Sequence, residues 1–502
     1  MLTPYTRSLF FVLYKAVSDL YPQSRLQIDS HVSNGFYCHI SHVRNYDADL
    51  IKERMRELIR ADLPFEYHQC PKPEAISLFR LHGQENKALL LESTKAATVE
   101  YYTLDGTPNS FYGKMLERTG QIHTFDLMPY DAGLLLRLPA RLPKTQVSGE
   151  TSCTVSNYFE DETCEDSRLL PFRPEPMMLS IFREYHRWQT IMGLSTVGEM
   201  NIATLEGRTT EMINVAEAIQ EKKIIKIADQ LAAHPELKVV LIAGPSCSGK
   251  TTFSKRLTIQ LQANGLKPET ISLDNYFVDR EKTPKDEQGN YDFECIGAMQ
   301  TDRLNHDLAA LLRGEEVELP NYNFKTGLSE QSGKFLRLQP ETVLILEGIH
   351  ALNPILTEQI PREKKFLIFA SALTTILLDD HNYIATQDNR LLRCMVRDNK
   401  FRGYSALDTL RRWPNVLKGE EKWLVPFQEQ ADEMINTALL FELASLRDQA
   451  LPLLDSVPED CPEHKQAERL TRLLRFMRPI PIKALPPTSL LREFMGGSTF
   501  SY

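Results

Sequence analysis

Apolar positions recur along this chain with two different rhythms, and the change of rhythm divides it. Near residues 48–60, Ile51, Met55, Leu58 and Ile59 repeat at helical spacing, which predicts an amphipathic helix. Helices are also expected over Arg7–Val17 and Ile181–Met192. From residue 209 onward, helical patterns alternate with short apolar runs. A helix carrying Ile213, Ala216, Ile224, Ile227 and Leu231 stops at His234-Pro235, and the run Lys238–Ala243 follows. Further runs lie at Thr270–Leu273, Thr342–Leu346 and Phe366–Ala370. Nearly continuous apolar strands separated by helices predict a parallel sheet covered by helices on both faces. A last amphipathic helix carries Leu470, Leu473, Leu474 and Met477 ahead of a group of prolines.

The pattern resolves into four stretches. Residues 1–140 mix helix and strand signals and predict an α+β domain. Residues 141–208 open as a linker, polar and acidic around Gly149–Asp166, before the helix at 181–192. Residues 209–450 carry the α/β rhythm, and 451–502 form a helical extension. With 42% hydrophobic and 25% charged residues, the composition is that of a globular protein. A net charge of −9 argues against nucleic acid or an anionic membrane as a partner, and is compatible with a homo-oligomer. No apolar run is long enough to span a bilayer, so a cytoplasmic location is expected. The eight cysteines form no C-x-x-C pair and read as reduced thiols, not as a disulfide framework or zinc site.

Chemistry enters at Gly244-Pro245-Ser246-Cys247-Ser248-Gly249-Lys250-Thr251, a match to G-x-x-x-x-G-K-[ST] followed by Thr252. It stands directly after a buried strand and before a helix. Backbone N–H groups there curl around phosphate oxygens, Lys250 reaches the β- and γ-phosphates, and Thr251 offers a hydroxyl to Mg²⁺. In an open parallel sheet, ligands lie beyond the carboxyl ends of the strands. Asp274 and Glu347 end two other strands at that level, where a carboxylate can polarise an acceptor hydroxyl or hold metal-bound water. Arg390, Arg393 and Arg397 recur at helical spacing, with Arg402 beyond them, and offer donors for a transferring phosphoryl group. The expected fold is therefore a P-loop NTPase sheet, and the expected co-substrates are ATP and Mg²⁺.

With these residues in view, residues 238–440 resemble the uridine kinase and phosphoribulokinase branch of P-loop kinases. The resemblance rests on Gly-Pro-Ser-Cys-Ser-Gly-Lys-Thr-Thr, Ser-Leu-Asp-Asn-Tyr-Phe, Asn-Tyr-Asp-Phe, Leu-Pro-Asn-Tyr-Asn-Phe, Leu-Glu-Gly-Ile-His and Arg-Asp-x-x-x-Arg-Gly. It implies that Asp274 is the base for a ribose 5′-hydroxyl and that Asp292 holds the ribose diol. Tyr322 and Phe324 would line the nucleoside pocket with Arg393, Thr251 and Glu347 would position magnesium, and Arg397 and Arg402 would act from a lid. The chain departs from that pattern at Asn323 and Gly327, where aspartate and histidine are usual, and at Cys394 and Tyr404, where arginine is usual. The closing Arg-Glu-Phe-Met-Gly-Gly-Ser is similar to that of long bacterial nucleoside kinase relatives.

Residues 1–140 resemble the second additional (editing) domain of threonyl-tRNA synthetases through Leu-Tyr-Pro (20–22), Asn-Gly-Phe-Tyr (34–37), Ile-Lys-Glu-Arg-Met (51–55) and Arg-Thr-Gly-Gln-Ile (118–122). The histidines of that family's first helix are absent, and Phe111 and Met115 stand where its cysteine and histidine would be. The implied domain is a degenerate one. The leading expectation is a Mg·ATP-dependent kinase of a nucleoside 5′-hydroxyl. A kinase of another small hydroxyl compound, such as a sugar or sugar phosphate, stays open, as does a nucleotide-sensing regulatory protein linked to RNA or tRNA.

Overall fold

The four apolar runs after residue 209 join a fifth strand in one sheet. A computed structural model of the chain describes residues 3–140, 168–286, 289, 291–323, 326–339 and 341–502. The acidic stretch at 149–166 and Phe324 lie outside these residues. The sheet contains β1 (Val239–Ala243), β2 (Lys267–Ser272), β3 (Thr342–Glu347), β4 (Lys365–Ser371) and β5 (Glu433–Asn436), in the order β2-β3-β1-β4-β5. Every pairing is parallel. Between these strands come α1 (Lys250–Ala263), α2 (Thr386–Arg402) and α3 (Ala406–Trp423). Val240, Ile242, Ile345, Ile368 and Ile435 pack against Phe253, Leu257 and Leu261 of α1 and against Ile224, Ile227 and Leu231 of the helix Thr209–Ala233. Burial on both faces explains why β1, β3 and β4 read as continuous apolar runs rather than as alternation. This is the expected P-loop architecture, a parallel sheet flanked by helices.

The chain folds as two compact units whose boundaries cut across the four sequence stretches. The sheet unit comprises Thr210–Leu373, Asn389–Glu468 and Ile480–Tyr502. The other comprises Met1–Thr209, Thr374–Asp388 and Arg469–Pro479, so two short stretches from the C-terminal half of the chain belong to the N-terminal unit.

The N-terminal unit is α+β, as expected. The helix Pro4–Leu20 starts at Thr3, whose hydroxyl accepts from the Thr6 N–H at 3.1 Å. A four-stranded antiparallel sheet orders Arg25–Val32, Gly35–Ser41, Gly133–Arg137 and Asp126–Tyr130, and a three-stranded sheet orders Glu66–Pro71, Thr98–Leu104 and Thr107–Asn109. Phe10, Phe11, Leu13, Ile51, Met55 and Leu136 share the core, and the helix Ala48–Arg60 presents the face read from its periodicity. Phe111 is buried in that core, its ring 5.6 Å from Phe11, and Met115 packs against it.

The recruited stretch 374–388 carries an unusual polar group. Lys87 and Asp379 form an ion pair of 3.0 Å with side-chain exposures of 2% and 0%. Asp380 accepts from Arg25 at 3.0 and 2.7 Å, from Gln27 at 3.1 Å and from Asn86 at 3.0 Å. These donors hold its carboxyl below the usual carboxylate range against the opposing effect of burial. Among the described residues, no helix is long and apolar enough to cross a membrane.

Candidate active site

The phosphate loop runs from the end of β1 into α1. Gly249 is the N-cap of α1 at φ 81°, a left-handed conformation that a residue without a Cβ adopts at little cost. Cys247 takes φ 59° in the same loop. The Lys250 ammonium donates to the Pro245 carbonyl at 3.1 Å, so it bridges the loop at the α1 N-terminus. Thr251 Oγ donates to both Glu347 oxygens, at 3.2 and 3.3 Å.

Register explains how the carboxylates reach this loop. In β3, Glu347 pairs with Ile242 of β1 on one side and with Ser272 of β2 on the other. Asp274 follows two residues after Ser272 in the short turn Leu273–Tyr276. At Gly348 an added Cβ would lie 2.7 Å from the Leu273 side chain, so the ends of β2 and β3 approach closely. Burial pushes the Glu347 carboxyl up to about 7, with Lys250 opposing the shift and Asp274 and Glu493 adding to it. A buried carboxyl with two acidic neighbours and a threonine hydroxyl suits a hard cation. Among the described residues no cluster of three or more His, Cys, Asp or Glu could hold a metal by itself. That donor set fits Mg²⁺, which takes one or two protein oxygens together with substrate phosphates.

Two acceptor-side residues follow. Asp292 accepts from the Glu294 N–H at 3.1 Å. Glu294, which the sequence reading did not single out, is pushed up to about 8 by burial, with Glu420, Asp274 and Asp292 adding to the shift and Lys250 opposing it. Tyr322 is buried on the hairpin Val317–Asn323/Leu328–Leu336 and packs on Phe277 at 5.5 Å between ring centroids. Phe277 lies three residues beyond Asp274. At Gly327 an added Cβ would lie 2.8 Å from the Arg280 guanidinium, so an arginine occupies the space beside the departing position.

The arginines of α2 divide into two groups. Arg390 donates to the Ser246 carbonyl at 3.2 and 3.0 Å and pairs with Glu420. Arg393 is fully buried, pairs with Glu442 and donates to the carbonyls of Cys247 at 3.3 Å and Thr437 at 2.9 Å. The substrate-binding role expected for Arg393 gives way to scaffolding, because its donors are taken by Glu442 and by the Cys247 and Thr437 carbonyls. Arg397 pairs with Asp398 at 2.7 Å, and the half-exposed Arg402 shares the same carboxylate at 3.5 Å, within electrostatic reach of Asp274.

The closing residues of the sequence contribute a part that their motif did not reveal. Glu493 accepts from the N–H and hydroxyl of Thr252 at 3.1 and 2.5 Å, and the Tyr502 hydroxyl lies 2.9 Å from the Thr252 hydroxyl. Lys400 of α2 donates to the Met495 carbonyl at 2.6 Å, and Phe494 lies beneath the Arg393 guanidinium. One further expectation is corrected. Cys247 and Cys394 are joined as a disulfide with their Cα atoms 5.6 Å apart, so these two are not free thiols. A separation of 147 residues gave the sequence no sign of that pairing.

Residues 239–439 match the Phosphoribulokinase / Uridine kinase family. A uridine kinase of Halobacterium salinarum is 28% identical over 196 residues, covering 39% of this chain and 77% of the relative. A uridine kinase of Staphylococcus haemolyticus is 29% identical over 199 residues, covering 39% and 86%. Among solved structures, a possible uridine kinase from Bacillus stearothermophilus aligns at 17% identity and a TM-score of 0.28, over 40% of this chain and 89% of that one. A D-glycerate 3-kinase from Cryptococcus neoformans aligns at 16% identity and a TM-score of 0.24, over 56% and 90%.

Proposed function

We propose that this protein transfers the γ-phosphoryl group of Mg·ATP to the 5′-hydroxyl of a nucleoside. The observation that carries the proposal is the convergence of Lys250, the Thr251–Glu347 pair and Asp274 at the carboxyl ends of three neighbouring strands. Asp274 is the one acid there whose expected task is to take a proton from an acceptor hydroxyl. Lys250 and the α1 N-terminus would draw charge from the β- and γ-phosphates, and Arg397 and Arg402 would meet charge on the transferring group. Thr251 and Glu347 would hold Mg²⁺, which neutralises phosphate charge when bound. Asp292 and Tyr322 would bind the ribose and base. The uridine kinases to which the chain is similar support a nucleoside acceptor.

The place of Arg280 beside Gly327 favours keeping a second acceptor class in view. A guanidinium recognises carbonyl, carboxylate or phosphate oxygens, so a sugar or sugar phosphate remains the alternative reading. A screen of nucleosides, sugars and sugar phosphates for ATP-dependent phosphorylation decides between them. Asp274→Asn should reduce transfer by at least about 10²-fold while Mg·ADP still binds. Phosphorylation that survives this change undiminished would remove Asp274 from the mechanism, whereas Mg·ADP binding with no phosphorylation of any compound in the screen would favour the nucleotide-sensing reading.

A further inference from the structure

Three ties run from one helix to two consecutive residues of the phosphate loop. Arg390 holds the Ser246 carbonyl and Arg393 holds the Cys247 carbonyl. The third tie is covalent, from Cys394 of α2 to Cys247 itself. The two arginines are also paired with Glu420 and Glu442. The sulfur tie alone responds to chemistry in solution. Its anchor in the loop is also the residue with most to gain from being held. Cys247 is a non-glycine residue at φ 59°, a conformation that L-residues adopt rarely and leave readily when unrestrained.

We propose that Cys247 and Cys394 are a reversible thiol–disulfide modification site that sets how tightly the phosphate loop binds nucleotide. Closing the bond removes two electrons and two protons from the two thiols. A hydroperoxide takes them up, its O–O bond breaking to give an alcohol and water. For opening, a thiolate of a small dithiol attacks one sulfur and the S–S bond breaks to a mixed disulfide. The dithiol's second sulfur then displaces the remaining protein thiol, leaving two protein thiols and an oxidised dithiol. Both cysteines are buried, at 4% and 5% exposure, so small reagents suit the site better than a protein oxidoreductase. In the closed form the backbone N–H groups around Cys247 stay aimed where a phosphate can meet them. In the open form Cys247 can relax to negative φ and turn them away, so nucleotide affinity falls. The inference rests on the reading that this loop binds nucleotide phosphates.

The test uses the full chain and two readouts that need no phosphoryl acceptor. Peptide mass analysis after alkylation counts modified cysteines, and calorimetry measures Mg·ADP affinity, each after treatment with hydrogen peroxide and after treatment with dithiothreitol. Cys247 and Cys394 should resist alkylation in the oxidised protein and take two additional labels after reduction. Mg·ADP should bind about fivefold or more weakly to the reduced protein. Cys394→Ser should bind like the reduced wild type and show no response to dithiothreitol. Alkylation of both cysteines after peroxide, or equal affinity in the two forms, would overturn the switch alone. No Mg·ADP binding in either form would overturn the phosphate-site reading and the switch with it, while the label count still reports the bond.

Discussion

Glu294 and Lys250 show how much of the candidate site is decided by single charges. Glu294 is shifted to about 8, far above an ordinary glutamate, because burial and three acidic neighbours disfavour its ionised form. The folded protein therefore holds a proton there, between about pH 4.5 and 8, that the unfolded chain releases. Stability contributed by the protonated carboxyl is present below that window and declines as pH rises through it. Glu294→Gln should flatten this decline, with a melting temperature a few degrees above wild type at pH 8 and little changed at pH 5, read by calorimetry at each pH. Lys250 acts in the opposite sense, as the positive charge that the surrounding acids need. Lys250→Ala should lower kcat/KM for ATP by about 10²–10³-fold and leave the circular dichroism spectrum intact. A normal turnover rate would refute the phosphate-site assignment.

At the scale of elements, α1 is the helix on which the site depends, and its N-terminus is shared. Its third residue, Thr252, already has a carboxylate partner in Glu493 at a place where nucleotide phosphate would also seek donors. Unit charges 4 Å apart repel by about 1 kcal/mol even at the dielectric constant of water, which is about fivefold in affinity. Glu493→Gln keeps an acceptor for Thr252 and removes the charge, so KM for ATP should fall by about that factor in steady-state kinetics. A raised KM would show instead that the charge positions the loop. The core of this unit was legible because β1, β3 and β4 are buried on both faces and leave no polar interruption. Helix Ala48–Arg60 was legible because Ile51, Met55 and Leu58 alternate with charge. The edge strand β5, only Glu433–Asn436, was not, since four residues carry too short a pattern. Glu294, Glu493 and the Cys247–Cys394 bond were equally silent, because each acts on groups brought near by the fold and not by spacing along the chain.

At the scale of the whole chain, the buried Lys87–Asp379 pair ties the sequence of one half to that of the other within the N-terminal unit. Removing one partner of such a pair leaves an uncompensated charge in the interior. Lys87→Ala should therefore cost about 3–5 kcal/mol, measured by urea unfolding followed through the N-terminal unit's tyrosines. A loss below about 1 kcal/mol would mean that the other donors to Asp379, the His381 N–H at 3.0 Å and the Asn382 amide at 2.9 Å, suffice without Lys87.

The path of the chain passes from one unit to the other at residues 209/210, 373/374, 388/389, 468/469 and 479/480. Neither unit is thus a cassette that recombination could lift out with two cuts. A gene fragment beginning after residue 209 would still encode the stretches 374–388 and 469–479, whose apolar and charged partners it had discarded. It would deliver Asp379 and Asp380 to water with neither Lys87 nor Arg25 to meet them.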